Sequence, residues 1–402
     1  MFHGISEAGP PTLSGANSEV HAGAARDVFI VWSADRRQDA GTAAADAYAR
    51  IGDALRAERL AIVQERVFAS LSVEAAVRAA RDEALLSRGI RADGPLTYLQ
   101  GSPTWGDGLA GVILHTIVDD RVQLILDDGT PRGRMWQTDD ATFIVLQGIH
   151  GLSLAPGDDN SPSAQALRSM ERADSLLRTH GADYRNTVRT WFYLSDILSW
   201  YGEFNRVRNA KYGDFGLLPR YGEHKWRLPA STGIRADFPN GAACSLDLLA
   251  VRPTRPKAAR LTVDYLRNPR QQEAFCYGSA FSRCAAVRGA IAGETLIEIS
   301  GTAAIDEAGR SLHRGDLRAQ VRCTMEKVAS LLEEAGASFR DIRAATVFVK
   351  NGNDADVARD VLADMRIDHL PAVWVVADVC RRELLFEIDA EAVMASPATV
   401  ET

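Results

Sequence analysis

The chain has little sulfur to work with: five cysteines in 402 residues, an odd number, all in the second half at Cys244, Cys276, Cys284, Cys323 and Cys380. No CxxC pair occurs, so neither a zinc knuckle nor a disulfide scaffold is supported. The eight histidines are scattered without metal-ligand spacing. No apolar run reaches membrane-spanning length. The first 25 residues are rich in Gly, Ser, Pro and Ala but lack the basic-then-apolar order of a secretory signal. A cytoplasmic protein is the expectation. Excess positive charge is also missing: 46 Lys and Arg stand against 53 Asp and Glu, a net charge of −7. That argues against nucleic acid and anionic membrane as partners.

Cofactor motifs are equally scarce. No GxSxG occurs, and the small-residue run from Ser14 to Ser18 has no phosphate-binding lysine. Gly106 to Gly111 fits GxGxxG, but a dinucleotide fingerprint follows a strand and opens a helix. Here the β-branched run Val112 to Val118 follows, so the glycines read as a loop. No cofactor and no metal is expected. The remaining partner class is a small molecule, and an anionic one must be held by local Arg or Lys.

What is present is an ordinary globular composition, 46% hydrophobic and 25% charged, long enough for two or three compact domains. Strand-like and helix-like periods alternate along it. The same element order recurs, and two copies align by eye. Met170 to Leu177 lines up with Met325 to Leu332, and Gly181 to Arg185 with Gly336 to Arg340. Leu228-Pro229-Ala230 matches Leu370-Pro371-Ala372, and Ser245-Leu246-Asp247 then falls on Glu387-Ile388-Asp389. A third copy at the front shows the order without clear identities; matched from Pro95, its Gly111 falls on Glu387. The expected layout is a flexible segment 1–26, α+β units at 27–139 and 140–252, a linker 253–273 and a C-terminal unit 274–396.

Only one of the three matched positions carries an acid. From Leu384 the last unit alternates with period two, placing Leu384, Phe386 and Ile388 on one face. The other carries Leu385, Glu387 and Asp389. Leu385 beside Glu387 suggests burial there too, which would raise the carboxyl pKa into the range of a general acid. The alternative is a solvated strand edge, the commoner setting for a Glu.

Ile299 to Ala303, the helix ending at Gly336, Thr346 to Val349 and Phe386 to Ala390 resemble the RidA/YjgF-like family. That resemblance implies trimers with sites between subunits, so three units in one chain imply a covalent pseudo-trimer, either monomeric or weakly self-associating. Its deaminases place an Arg shortly after the Pro before the last strand pair, where Ala372 and Val373 stand here. A longer similarity, over nearly the whole chain after residue 25, is to the chorismatases. It is carried by Arg189 to Leu194, Trp200-Tyr201 with Phe204-Asn205, Leu228 to Gly233, Tyr277 to Arg283 and Ala377 to Arg381. It implies a cofactor-free release of pyruvate from chorismate, giving 3-hydroxybenzoate with some 4-hydroxybenzoate, and Glu387 as the catalytic acid. Cys380 stands seven residues before that acid, and Cys284 occupies a position that varies between branches. Two substrate carboxylates call for bidentate donors, for which Arg283 and Arg189 are the candidates. The competing assignments are an interface ion pair for Arg283 and a surface strand end for Arg189. Tyr277 and Tyr221 are further substrate-binding candidates, and Cys284 and Cys380 are expected to wall the site. Three other functions compete: a chorismate hydrolase giving a dihydrodiol, an imine deaminase, and a non-catalytic metabolite binder.

Overall fold

A computed structural model of the protein describes residues 18–22, 27–34, 38–118, 121–218, 227–255, 260–367 and 369–395. The first sheet contains β1 (Ser18–Ala22), β2 (Asp27–Ser33), β3 (Ala61–Ala69), β4 (Thr97–Gln100) and β5 (Leu109–Ile117), with α1 (Ala40–Ala57) and α2 (Glu74–Leu86). The second contains β6 (Gln123–Asp127), β7 (Thr130–Gln137), β8 (Ala141–His150), β9 (Thr187–Leu194), β10 (Ala230–Arg235) and β11 (Cys244–Pro253), with α3 (Pro162–Thr179) and α4 (Ile197–Asp214). The third contains β12 (Thr262–Leu266), β13 (Cys284–Ile291), β14 (Glu294–Ala303), β15 (Ile342–Val349), β16 (Ala372–Val376) and β17 (Phe386–Ala395), with α5 (Leu317–Ala335) and α6 (Asp354–Asp364).

The strand orders follow one pattern, with one edge strand fewer among the described residues of the first sheet: β4-β3-β5-β2-β1, β10-β9-β11-β8-β7-β6 and β16-β15-β17-β14-β13-β12. The helices carrying Met170 and Met325 are therefore equivalent, as the alignment required. Local chemistry sets their ends. The Asp39 carboxylate accepts from the amides of Gly41 and Thr42 to start α1. Ser161 caps α3 ahead of Pro162, and α5 stops at Gly336, where φ is 84° and a side chain would be strained.

Strand pairing redraws three of the expected boundaries. The leading segment is not all lead-in, because Ser18–Ala22 pairs antiparallel with β2. The expected linker contains β12, which pairs with β13 and edges the third sheet. The β6–β7 hairpin, assigned to the first unit by sequence order, pairs with β8 and belongs to the second sheet. Each is an edge element, so its hydrophobic pattern is weak and only its partner defines it.

Every sheet buries both faces. One face of each packs under its own two helices, forming three separate cores. The opposite faces meet in a single central core that includes Phe29, Trp191, Tyr193, Phe348 and Val373. Buried polar contacts cross it between sheets. Arg66 pairs with Glu391, the Arg189 guanidinium reaches Asp389 at 3.0 Å, and the Thr97 hydroxyl donates to Asp247 at 2.6 Å. Trp191 lies between Arg66 and Arg189, 4.8 and 4.4 Å from its ring centre. Such pairs add little net stability over apolar packing but penalise any misdocked arrangement.

Candidate active site

The sequence places Glu387 one residue into β17, and strand alternation decides its surroundings. Phe386, Ile388, Ala390 and Ala392 point under α5. Glu387, Asp389 and Glu391 point the other way and are all at least 95% buried. The solvated-edge alternative is thereby excluded. Glu387 sits at the seam with the second sheet, against Gly301 of β14 and the Thr232 methyl of β10. A Cβ at Gly301 would collide with its carboxyl, so glycine is what makes room for the acid. Burial, and then the neighbouring Asp389, push the Glu387 carboxyl up to about 8, against the smaller opposing pull of Arg283 and Arg189. No described residue hydrogen-bonds it, so its proton is free to be given away.

The cavity beside it is lined by Arg208, Arg283, Arg381, Tyr201, Tyr277 and Cys380, among others. Three arginines and one acid that is neutral near pH 7 thus line one cavity. Arg283 is 1% exposed, donates to the Gln272 carbonyl at 2.6 Å and to the Tyr277 hydroxyl, and forms no ion pair among the described residues. The expected alternative of an interface salt bridge is not what holds it. Arg208 is also 1% exposed and lies 5.1 Å from the Phe204 ring centre and 5.5 Å from that of Phe281. It donates to Asn205 at 2.7 Å, and its Nε has no partner. A desolvated cation without a counter-charge is a ready receptor for a carboxylate.

Arg189 is not such a receptor. It is fully buried behind the cavity, spent on Asp389 and on the Thr232 hydroxyl at 2.7 Å, with Glu298 at 3.5 Å. Neither expectation for it holds: it is no surface residue, and it does not line the site. Through Thr232 and Asp389 it positions the strand that carries Glu387. Cys284 is a second correction. It opens β13 directly after Arg283, and its side chain lies in the core beneath α5. Cys380 does line the cavity, and burial followed by the nearby Glu387 pushes its thiol up to about 12. It is a neutral wall and not a nucleophile. Tyr221 lies outside the described residues.

Arg208, Tyr201 and Arg381 were not among the site candidates, although Tyr201 and Arg381 stand in stretches that carry the similarity and a further signal existed. Tyr201, Phe204 and Arg208 are spaced i, i+3, i+7 on α4, one face of a helix. Arg381 directly follows Cys380. The cavity measures about 30 Å³, room for about two waters. Tyr277 forms one wall, on a short turn ending at Gly278 with φ 94°. Larger cavities of about 610 and 320 Å³ lie elsewhere, but their carboxylates, such as Glu273 and Asp82, are partly or fully exposed.

Comparison with known proteins gives this geometry a family. The Endoribonuclease L-PSP family model matches residues 279–394. A RutC family protein of Pyrococcus abyssi is 31% identical over 97 residues, 24% of this chain and 76% of the relative. The 3-hydroxybenzoate synthase of Streptomyces hygroscopicus is 25% identical over 239 residues, 53% of this chain. That match spans 65% of the synthase's own length, just under two thirds. A solved chorismatase structure, 20% identical, superposes with a TM-score of 0.57 over 82% of this chain and 92% of its own. The chain belongs to the RutC family. The RidA-like fold is repeated within one chain, and the solved chorismatase chain shares most of this architecture.

Proposed function

We propose that this protein is a cofactor-free chorismatase, releasing pyruvate from chorismate and forming 3-hydroxybenzoate with some 4-hydroxybenzoate. The observation that carries the reading is Glu387: a buried carboxyl, protonated near neutral pH, lining one small cavity together with three arginines. Arg208 and Arg283 grip the two substrate carboxylates, and the turn bearing Tyr277 yields to admit the ring. Glu387 gives its proton to the enolpyruvyl methylene, generating an oxocarbenium ion and the Glu387 carboxylate. The neighbouring ring hydroxyl then attacks the ether-bearing ring carbon. The ring C–O bond breaks with its electrons moving to oxygen, and pyruvate leaves. The attacking hydroxyl loses its proton to Glu387, which restores the acid. The arene-oxide-like product opens and aromatises, so no water is consumed. The Cys380 thiol beside the acid supports this route, because an apolar wall there limits water.

Water attacking in place of the hydroxyl gives a dihydrodiol and the hydrolase outcome. An imine deaminase is disfavoured because Val373, at the position of the deaminase Arg, is fully buried and packs against Gly111. The test is to incubate purified protein with chorismate, follow pyruvate, and resolve the products by chromatography. Hydroxybenzoate equal to pyruvate is expected. A dihydrodiol alone moves the protein to hydrolysis, and no pyruvate ends the reading.

A further inference from the structure

The seam between the first and second sheets carries a cavity of about 320 Å³. The repeat makes it the counterpart of the Glu387 site. Strand pairing is interrupted around Asp247 opposite Gly148, as it is around Asp389 opposite Gly301. Ser245 stands where Glu387 stands, so the acid is absent while the seam stays open.

Its lining holds Arg78, Arg81 and Arg132 together with the exposed Asp82 and Asp93, and Arg81 meets Asp82 at 2.8 Å. Arg81 is neutralised by the buried Glu65 at 2.7 Å, and Arg78 by Glu74 at 2.6 Å. Arg132 forms no ion pair among the described residues. One of its nitrogens donates to the Gly148 carbonyl at 3.0 Å, another meets His150 at 3.5 Å, and Nε is buried without a partner. His150 beside it stays neutral, since burial and the cations Arg132 and Arg172 push its pKa down to about 4. It therefore offers Arg132 no negative charge. Arg172 is already paired with Asp127. A half-buried guanidinium whose nearest carboxylate, Asp127, is already paired with Arg172, opening on a cavity of this size, favours an anion that can accept hydrogen bonds from it. Leu96, Pro95 and Pro131 line the same cavity and suit a flat apolar body.

We propose that this cavity binds a small aromatic or cyclic monocarboxylate, with its carboxylate on Arg132 and its ring against Leu96 and Pro131. With Ser245 in place of an acid, the ligand is held unchanged. The proposal does not rest on the reaction assigned to the Glu387 site.

Sodium benzoate titrated calorimetrically into the full chain at low ionic strength is the test. Inorganic phosphate is the second ligand, and thermal melts verify that each variant is folded. Saturable benzoate binding is expected. Charge-assisted hydrogen bonds contribute about 1.5–3 kcal/mol, so Arg132→Gln should weaken it by about 10- to 100-fold. Leu96→Trp, which fills the cavity from the opposite wall, should also weaken it and stands in where Arg132→Gln does not fold. Arg283→Gln should leave it in place. No saturable binding overturns the proposal. So does binding lost in Arg283→Gln but kept in Arg132→Gln, which assigns benzoate to the Glu387 cavity. Phosphate binding as tightly as benzoate and ignoring Leu96→Trp also overturns it, reducing the effect to surface charge.

Discussion

The same seam occurs three times in this molecule and has three fates. Between the second and third sheets it holds Glu387, with Gly301 opposite and a cavity between them. Between the first and second sheets Ser245 replaces the acid, and the neighbouring cavity is lined by Arg132 and Gly148. Between the third and first sheets Gly111 replaces it, and the Val373 side chain fills the space. Val375 packs against Gly101 beside it, and Ser102 bridges to Val376. Backbone pattern is common to all three, so chemistry is set by a few side chains at equivalent positions. The acid itself is one of them; the glycine that admits it and the arginines that line its cavity are the others.

The largest expected effect comes from disarming the first seam. Glu387→Gln keeps the shape but has no carboxyl proton to give. General acid catalysis contributes roughly a hundred- to ten-thousand-fold, so pyruvate release should fall by that factor while affinity for chorismate survives. Turnover at the wild-type rate would remove Glu387 from the mechanism.

Next in size is a contrast between two buried arginines of the second unit. Arg189→Ala strands Asp389 and Glu298 without their cation, and breaking a buried pair costs about 3–5 kcal/mol. Its signature is a lower denaturant midpoint. Arg208→Ala breaks no ion pair among the described residues and should act on the substrate, weakening its binding by about 2–5 kcal/mol. Steady-state KM and urea melts on the same preparations separate the two. Equal loss of stability in both variants would make Arg208 structural as well.

A smaller and pH-dependent effect follows from the raised carboxyl. In the proposed mechanism Glu387 acts in its protonated form, so kcat/KM should decline tenfold per pH unit above about 8. Its folded pKa of about 8 exceeds the reference value of 4.5, so the folded chain binds the extra proton between those limits. Stability therefore falls as pH rises through that window, and Glu387→Gln should flatten the fall. A profile with no break near 8 in the wild type would contradict the assignment.

The smallest effect expected is none. Ser245→Glu puts an acid at the second seam, but Gln147 and Asp247 surround Gly148 there in place of Ser300 and Thr232 around Gly301. Combined with Glu387→Gln, it should leave pyruvate release at the level of the single variant. Recovered activity would show that the acid alone decides which seam works.

Much of this was legible in the chain. Met170–Leu177 against Met325–Leu332 gave away the repeat, because equivalent helices must bury equivalent stripes. Alternation in β17 gave the face of Glu387, since a period of two leaves no other choice. The sequence could not tell a surface Arg189 from a ligand from an ion-pair partner, because its partner Asp389 is 200 residues away. It could not seat β12 or the β6–β7 hairpin, whose identity comes from the strand beside them. Nor could it show Cys284 turned into the core while Arg283 faced the cavity.

By itself, then, the sequence determined a repeated α+β fold and one acid among three matched positions, because both are written in local periodicity and self-similarity. Tertiary structure alone decided which arginines share a cavity with that acid and how far its proton is held. Desolvation and long-range charge depend on what the other sheets bring within a few ångströms, and no local pattern carries that information.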